Sequence, residues 1–288
     1  MNTGKSIRVA YQMAASFLHK HGIESPEFEA EWLLRRILGV DRTQFFMIWD
    51  QLITPEQEIK LQQWLNRRAH GEPLQYIFGD QEFYGRLFTV TPAVLIPRPE
   101  TELLVEAVIQ EAIQKWELET LHVVDVGTGS GCIAITLAKE CPHWRFTAID
   151  ISQEALQVAR INAKKHAAVR HIRFVHGEYL SPMLQEGVTF DILVSNPPYI
   201  PSSHIQFLEK QVSEYEPKLA LDGGEDGLEP YRVLTRQVAM LPVKPRLIAF
   251  EIGHDQGEAV AQLVENLGAQ VQIRKDWAGH DRIVLGKM

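Results

Sequence analysis

Between residues 121 and 252 the chain alternates short apolar runs with helical stretches, and this rhythm limits its fold more than any other feature. The runs at 121–126, 145–149, 172–175, 190–194 and 247–252 have the length and character of strands buried in a parallel sheet. Helical segments lie between most of them. Such alternation predicts an α/β fold with a doubly wound sheet, whose ligands bind beyond the carboxyl ends of its strands. Two further strands, 270–273 and 282–285, follow a helix at about 256–267.

The preceding part is different. Ile7, Ala10, Tyr11, Ala14, Phe17 and Leu18 recur at helical spacing. A second helix follows Ser25, with Pro26, Glu27 and Glu29 in its first turn, and stops at Gly39. Asp41 with Gln44, and Thr54 with Gln57, have capping-box spacing, and the last of these helices ends near Gly71. Residues 76–78 and 83–90 are aromatic and β-branched around a glycine, which predicts a β-hairpin. The expected organisation is a small all-helical N-terminal domain at 1–72, a β-hairpin linker at 73–97 and the α/β domain at 98–288.

Composition narrows the function classes. No run of about 18 apolar residues is present to span a bilayer, and the N-terminus reads as an amphipathic helix rather than a secretory leader. Two cysteines, Cys132 and Cys141, do not make a disulfide framework, so a cytoplasmic, reduced protein is expected. The net charge of −8 argues against direct nucleic-acid binding, which draws most of its affinity from phosphate neutralisation. Arg67 with Arg68 and Lys164 with Lys165 are read as solvated helix faces. No metal is expected, because Cys132, Cys141, His122 and His143 lack paired ligand spacing.

The stretch V-V-D-V-G-T-G-S-G at 123–131 follows a predicted strand and opens a helix. Gly127, Gly129 and Gly131, with Thr128 and Ser130 between them, let the backbone turn sharply and approach a ligand closely. Asp150 ends the next strand, where a carboxylate can accept hydrogen bonds from both hydroxyls of a ribose. A dinucleotide fingerprint would need its third glycine at 132, which is Cys132 here; that disfavours a nicotinamide oxidoreductase. The D-x-G-x-G-x-G spacing resembles instead the first motif of the class I S-adenosylmethionine-dependent methyltransferases. That resemblance implies a Rossmann-like sheet and S-adenosyl-L-methionine as cofactor, leaving S-adenosyl-L-homocysteine as product.

The fourth strand of the series ends in Asn196, Pro197, Pro198 and Tyr199. Two successive prolines fix the backbone and remove two donors, leaving carbonyls free to accept. The Asn196 side-chain oxygen and the Pro197 carbonyl can take both N–H bonds of one planar –NH₂ group, and Tyr199 can stack on its face. An amide or aniline-like nitrogen is a poor nucleophile, and accepting both of its N–H bonds raises electron density where the methyl group must arrive. These four residues are the candidate catalytic and substrate-binding set. They suit a glutamine amide, adenine N6, cytosine N4 or guanine N2 without choosing among them. An intact tetrapeptide speaks against a non-catalytic adaptor.

Longer motifs choose. G-E-P-L-Q-Y-I-F-G at 71–79, F-Y-G at 83–85, L-I-P-R-P-E-T-E at 95–102, S-N-P-P-Y-I at 195–200 and E-P-K-L-A-L-D-G-G-E-D-G-L at 216–228 are the pieces of a resemblance that runs over nearly the whole chain. In these the sequence resembles the peptide chain release factor N5-glutamine methyltransferases, the HemK/PrmC family. The resemblance implies methylation of the glutamine in the Gly-Gly-Gln motif of release factors, which would be the protein partners, with the helical domain recognising them. It implies cofactor or acceptor contacts at Gly127, Thr128, Gly129, Ser130, Gly131, Asp150 and Asn196. It also places Glu178 and Tyr179 beside the adenine and gives Arg98 and Glu100 supporting roles. The alternative is a DNA or RNA exocyclic-amine methyltransferase acting on adenine N6 or guanine N2, which shares the tetrapeptide.

Overall fold

The computed structural model describes residues 4–116 and 119–288. The chain divides into two compact units, Met1–Phe78 and Gly79–Met288. The first is helical: α1 Ile7–Lys20, α2 Pro26–Leu38, α3 Arg42–Met47, α4 Pro55–Ala69 and α5 Leu74–Phe78. Its starts and stops follow local chemistry. Asp41 with Gln44 and Thr54 with Gln57 both close reciprocal capping boxes, and Gly39 ends α2 in the left-handed region at φ +68°. Ala10, Ala14, Leu18, Leu33, Leu34 and Phe45 form its dry centre.

Two expectations change here. Residues 76–78 are helical, not strand, because the Pro73 carbonyl accepts the N–H groups of both Tyr76 and Ile77 (3.1 Å each) and so starts a turn of helix. The pair Arg67 and Arg68 is not simply a solvated face. Arg68 is 9 % exposed and grips Glu29 of α2 through Nε (2.6 Å) and Nη2 (2.9 Å), a bidentate pair that ties α4 to α2.

The second unit begins with a hairpin, β1 Asp80–Phe83 and β2 Arg86–Thr89. Its two-residue turn has Tyr84 at φ 51° and Gly85 at φ 68°, the pair of positive angles that a type I′ turn requires. There follow α6 Pro99–Trp116, β3 His122–Val126, α7 Cys132–Glu140, β4 Arg145–Asp150, α8 Gln153–Lys165, β5 Ile172–His176, α9 Ser181–Glu186 and β6 Ile192–Ser195. After α10 Lys210–Ser213 come α11 Glu229–Met240, β7 Leu247–Glu251, α12 Gly257–Glu265, β8 Gln270–Lys275 and β9 Asp281–Lys287. Every strand expected between 121 and 285 is present.

Seven of these strands form one sheet in the order β5-β4-β3-β6-β7-β9-β8, parallel except that β9 runs antiparallel to both neighbours. Side-chain alternation splits the core in two. Val123, Phe146, Ala148, Ile192, Val194 and Leu247 face a cluster that includes α6 and α7; Val124, Ile149, Leu193, Ile248 and Phe250 face α9, α11 and α12. This is the expected Rossmann-like, doubly wound class I methyltransferase sheet. Strand order reverses between β3 and β6, which opens the crevice at their carboxyl ends.

The hairpin is part of this unit's core, since Phe83 and Phe88 are fully buried with Leu104 and Val108 of α6. One side chain joins it to the crevice. Asn162 on α8 is fully buried; its Oδ1 accepts from Thr89 N (2.7 Å) while its Nδ2 donates to Thr89 O and Ser130 O (2.9 Å each). Asn162→Ala leaves these backbone groups unpaired, and we expect a loss of about 1–3 kcal/mol. The urea-unfolding midpoint measures it, and a midpoint equal to that of the wild type would contradict this role.

Candidate active site

A cavity of about 230 Å³ lies at the carboxyl ends of β3, β4 and β6. One wall is the glycine loop. As β3 ends, Gly127 N and Thr128 N both donate to the Ile149 carbonyl of β4 (2.9 and 3.0 Å), which bends the chain across the strand tips. Gly127 and Gly129 hold φ of +72° and +56°, a region that side-chain-bearing residues rarely adopt. Behind them the Thr128 hydroxyl donates to Asp125 (2.6 Å), whose buried carboxyl is pushed up to about 7 by desolvation. Gly127, Thr128, Gly129 and Ser130 line the cavity. Gly131 does not, and it serves packing instead: a Cβ there would lie 2.8 Å from Ile135 Cδ1 and 3.2 Å from Ala159 Cβ.

Asp150 lines the same wall. Its Oδ2 accepts from Gly129 N and its Oδ1 from Ser152 N (2.8 Å each). Burial raises its pKa, while these N–H groups favour its charged form. Each oxygen keeps a second lone pair for a ligand hydroxyl. Beyond β5, Glu178 and Tyr179 also line the cavity. Tyr179 holds φ 48°, unusual for a bulky residue, in a turn secured by Leu180 N donating to Gln237 Oε1 (2.7 Å).

The opposite wall is the end of β6. Ser195 Oγ donates to the Val126 carbonyl of β3 (2.6 Å), locking the two strand tips level. Ser195, Asn196, Pro197 and Pro198 line the cavity, with Pro97, Arg98 and Thr101 beside them. Asn196 Nδ2 donates to Thr101 Oγ1 (3.1 Å), which leaves Asn196 Oδ1 as the free acceptor. Among the described residues the Pro197 carbonyl accepts no backbone hydrogen bond. Tyr199 does not line this cavity. Its half-buried ring packs against the α11 side of the sheet, and burial keeps its hydroxyl well above the usual range. His254 also lies outside the cavity wall, in ring contact with His280.

The glycines at 223 and 227 acquire a reason. A Cβ on Gly223 would lie 2.9 Å from Pro198 O, and one on Gly227 only 2.3 Å from Tyr199 O. The segment thus lies flat on the tetrapeptide's backbone, where Gly223 N donates to Ile200 O (2.9 Å) and Gln256 Nε2 donates to Tyr199 O (3.0 Å) and Gly227 O (3.1 Å). Glu216 binds Arg98 and Ile96 N, tying the same region to the start of α6. Sequence reasoning missed Thr101 and Gln256, whose roles depend on elements distant in the chain.

Comparison with known proteins agrees with this architecture. Residues 10–79 match the family described as PrmC N-terminal domain, and residues 99–220 match Methyltransferase small domain. The release factor glutamine methyltransferase of Bacillus cereus is 42% identical over 281 residues, 97% of this chain and 98% of that protein. That of Bacillus subtilis is 39% identical over 283 residues, 97% of each. Among solved structures, the hMettl16 catalytic domain in complex with MAT2A 3'UTR hairpin 6 shares the fold, with a TM-score of 0.55 at 14% identity over 81% of this chain and 82% of that one. With relatives of that identity along almost its full length, this chain belongs to the release factor glutamine methyltransferase family.

Proposed function

We infer that this protein transfers the methyl group of S-adenosyl-L-methionine to the side-chain amide nitrogen (N5) of the glutamine in the Gly-Gly-Gln motif of peptide chain release factors. Family membership supports the substrate. The observation that carries the chemistry is the state of Asn196: its Nδ2 is engaged by Thr101, so its Oδ1 is left to accept, beside a Pro197 carbonyl that accepts from no backbone N–H among the described residues.

The cavity fits S-adenosyl-L-methionine. Glycines bring the backbone to its edge, Asp150 offers two acceptor oxygens for the ribose, and Ile133, Ile151 and Leu219 give apolar wall. We assign Gly127, Thr128, Gly129 and Ser130 to the methionine part and Glu178 and Tyr179 to the adenine. Bound there, the cofactor supplies an electrophilic methyl group on a sulfonium. The protein's own residues act on the acceptor. Asn196 Oδ1 and the Pro197 carbonyl take one amide N–H each and orient the nitrogen lone pair toward the glycine-loop side. They bind more strongly as positive charge develops on nitrogen, which lowers the barrier rather than merely binding the substrate. An N-protonated amide is strongly acidic, so one N–H proton leaves to water without a dedicated base.

Net charge −8 supports a protein acceptor over a nucleic acid, and two free cysteines suit the cytosol. We assign recognition of the release factor to the N-terminal helical region, where Phe46, Met47 and Ile59 are exposed apolar side chains.

Three outcomes test this reading. Labelled methyl from S-adenosyl-L-methionine appears on a purified release factor and not on the same factor with its Gly-Gly-Gln glutamine changed to alanine; label on neither sends the search to RNA and DNA. Removing residues 1–70 raises KM for the release factor and leaves cofactor affinity within about threefold, whereas equal loss of both contradicts the recognition role. Gly227→Ala pushes on the Tyr199 carbonyl and lowers kcat by about tenfold or more with cofactor affinity retained; an unchanged kcat shows that the flat packing is not needed.

A further inference from the structure

Glu251 is a buried acid that the reaction described above does not use. It ends β7 at 1 % exposure, and its Oε2 has no hydrogen-bond partner among the described residues. It is absent from the cavity wall, but it faces the Thr101 hydroxyl and the Asn196 amide, both of which favour its charged form. Two other charges bear on it. Arg282 of β9 favours ionisation, and Glu100 of α6 opposes it. Its charge is felt in turn by Tyr199, Tyr231 and Cys132.

The Asn196 amide has two orientations related by a half-turn, and only one leaves an acceptor for the substrate amide. We propose that Glu251 is a positioning residue whose carboxylate, acting with Thr101, holds Asn196 with Nδ2 inward and Oδ1 free to receive the acceptor N–H. An ionised carboxylate only accepts, so the Thr101 hydroxyl turns its single proton toward Glu251 and offers a lone pair to Asn196 Nδ2, the 3.1 Å contact observed. A flipped amide would set Oδ1 against that lone pair and against the carboxylate. Protonating Glu251 reverses the preference, because a carboxylic acid can donate to the inward oxygen of a flipped amide.

Burial pushes the Glu251 carboxyl up to about 7. Deprotonation establishes the preferred orientation, so the methyl-transfer rate rises with pH through that value. One unit below it about a tenth of the carboxyls are ionised and one unit above about nine tenths, which makes the expected rise from pH 6 to pH 8 close to tenfold.

This inference rests on the reading of Asn196 as the amide acceptor, and its test has one readout that does not. The side-chain ¹⁵N–¹H signals of Asn196 in the free enzyme titrate with a midpoint near 7 in the wild type and are flat in Glu251→Gln. Single-turnover transfer to the release factor at pH 8 is slower by about tenfold or more in Glu251→Gln and Thr101→Val, and neither shows the rise between pH 6 and 8. Thr101→Ser recovers most of what Thr101→Val loses, and cofactor affinity stays within about threefold throughout. A wild-type Asn196 signal and pH profile in Glu251→Gln, or Thr101→Ser as slow as Thr101→Val, would overturn the proposal. Should the wild type bind cofactor and transfer nothing to release factors, the functional reading fails, and the Asn196 titration alone still decides the role of Glu251.

Discussion

Everything in the site depends on β3 and β6 lying side by side with their carboxyl ends level. Val126 pairs opposite Ser195, and the Ser195 hydroxyl holds the Val126 carbonyl across the gap. The glycine loop continues from one strand and the Asn196 tetrapeptide from the other. Two segments about seventy residues apart in sequence therefore become the two walls of one cavity. Neither wall is useful alone. On the proposed reading the loop serves the methyl donor but offers nothing to a weak nucleophile, while the tetrapeptide serves the nucleophile and has no place for a methyl donor.

Rigidity around that junction is supplied by contacts among the protein's own groups. Asp125 holds Thr128, Asp150 holds Gly129, and Gly131 seats the loop against α7 and α8. On the other side Gly223, Gly227 and Gln256 press on the tetrapeptide's backbone, and Thr101 fixes its asparagine. Methyl transfer requires an in-line approach at about 3–3.5 Å, so a displacement of a fraction of an ångström at the acceptor is costly in rate. The density of short polar contacts between backbone and neighbouring side chains meets that requirement.

Much of this was legible in the sequence, for physical reasons. Apolar runs of four to six residues can be buried only as strands in such a rhythm, and each expected strand was found. Glycine frees the backbone for positive φ and proline fixes it, so the loop at 127–131 and the turn at 196–199 could be read locally. What was not legible depends on which elements become neighbours. Thr101 is an ordinary helix residue until α6 meets the tip of β6, and Gln256 gains its role only because α12 starts beside Tyr199 and Gly227. Arg68 looked like half of a surface pair because its partner, Glu29, lies 39 residues away. The helical turn at 74–78 was hidden by aromatic and β-branched side chains that favour strands, a preference outweighed by Pro73 starting a turn.

The central claim is that Asn196 acts on the acceptor nitrogen in the transition state rather than holding the fold or the cofactor. Single-turnover methyl transfer by Asn196→Ala, measured beside cofactor binding on the same preparation, tests it most directly. The account predicts a rate lower by about a hundredfold or more with the cofactor dissociation constant changed by less than about threefold. A rate within a few-fold of the wild type, or a loss fully explained by weaker cofactor binding, would contradict it.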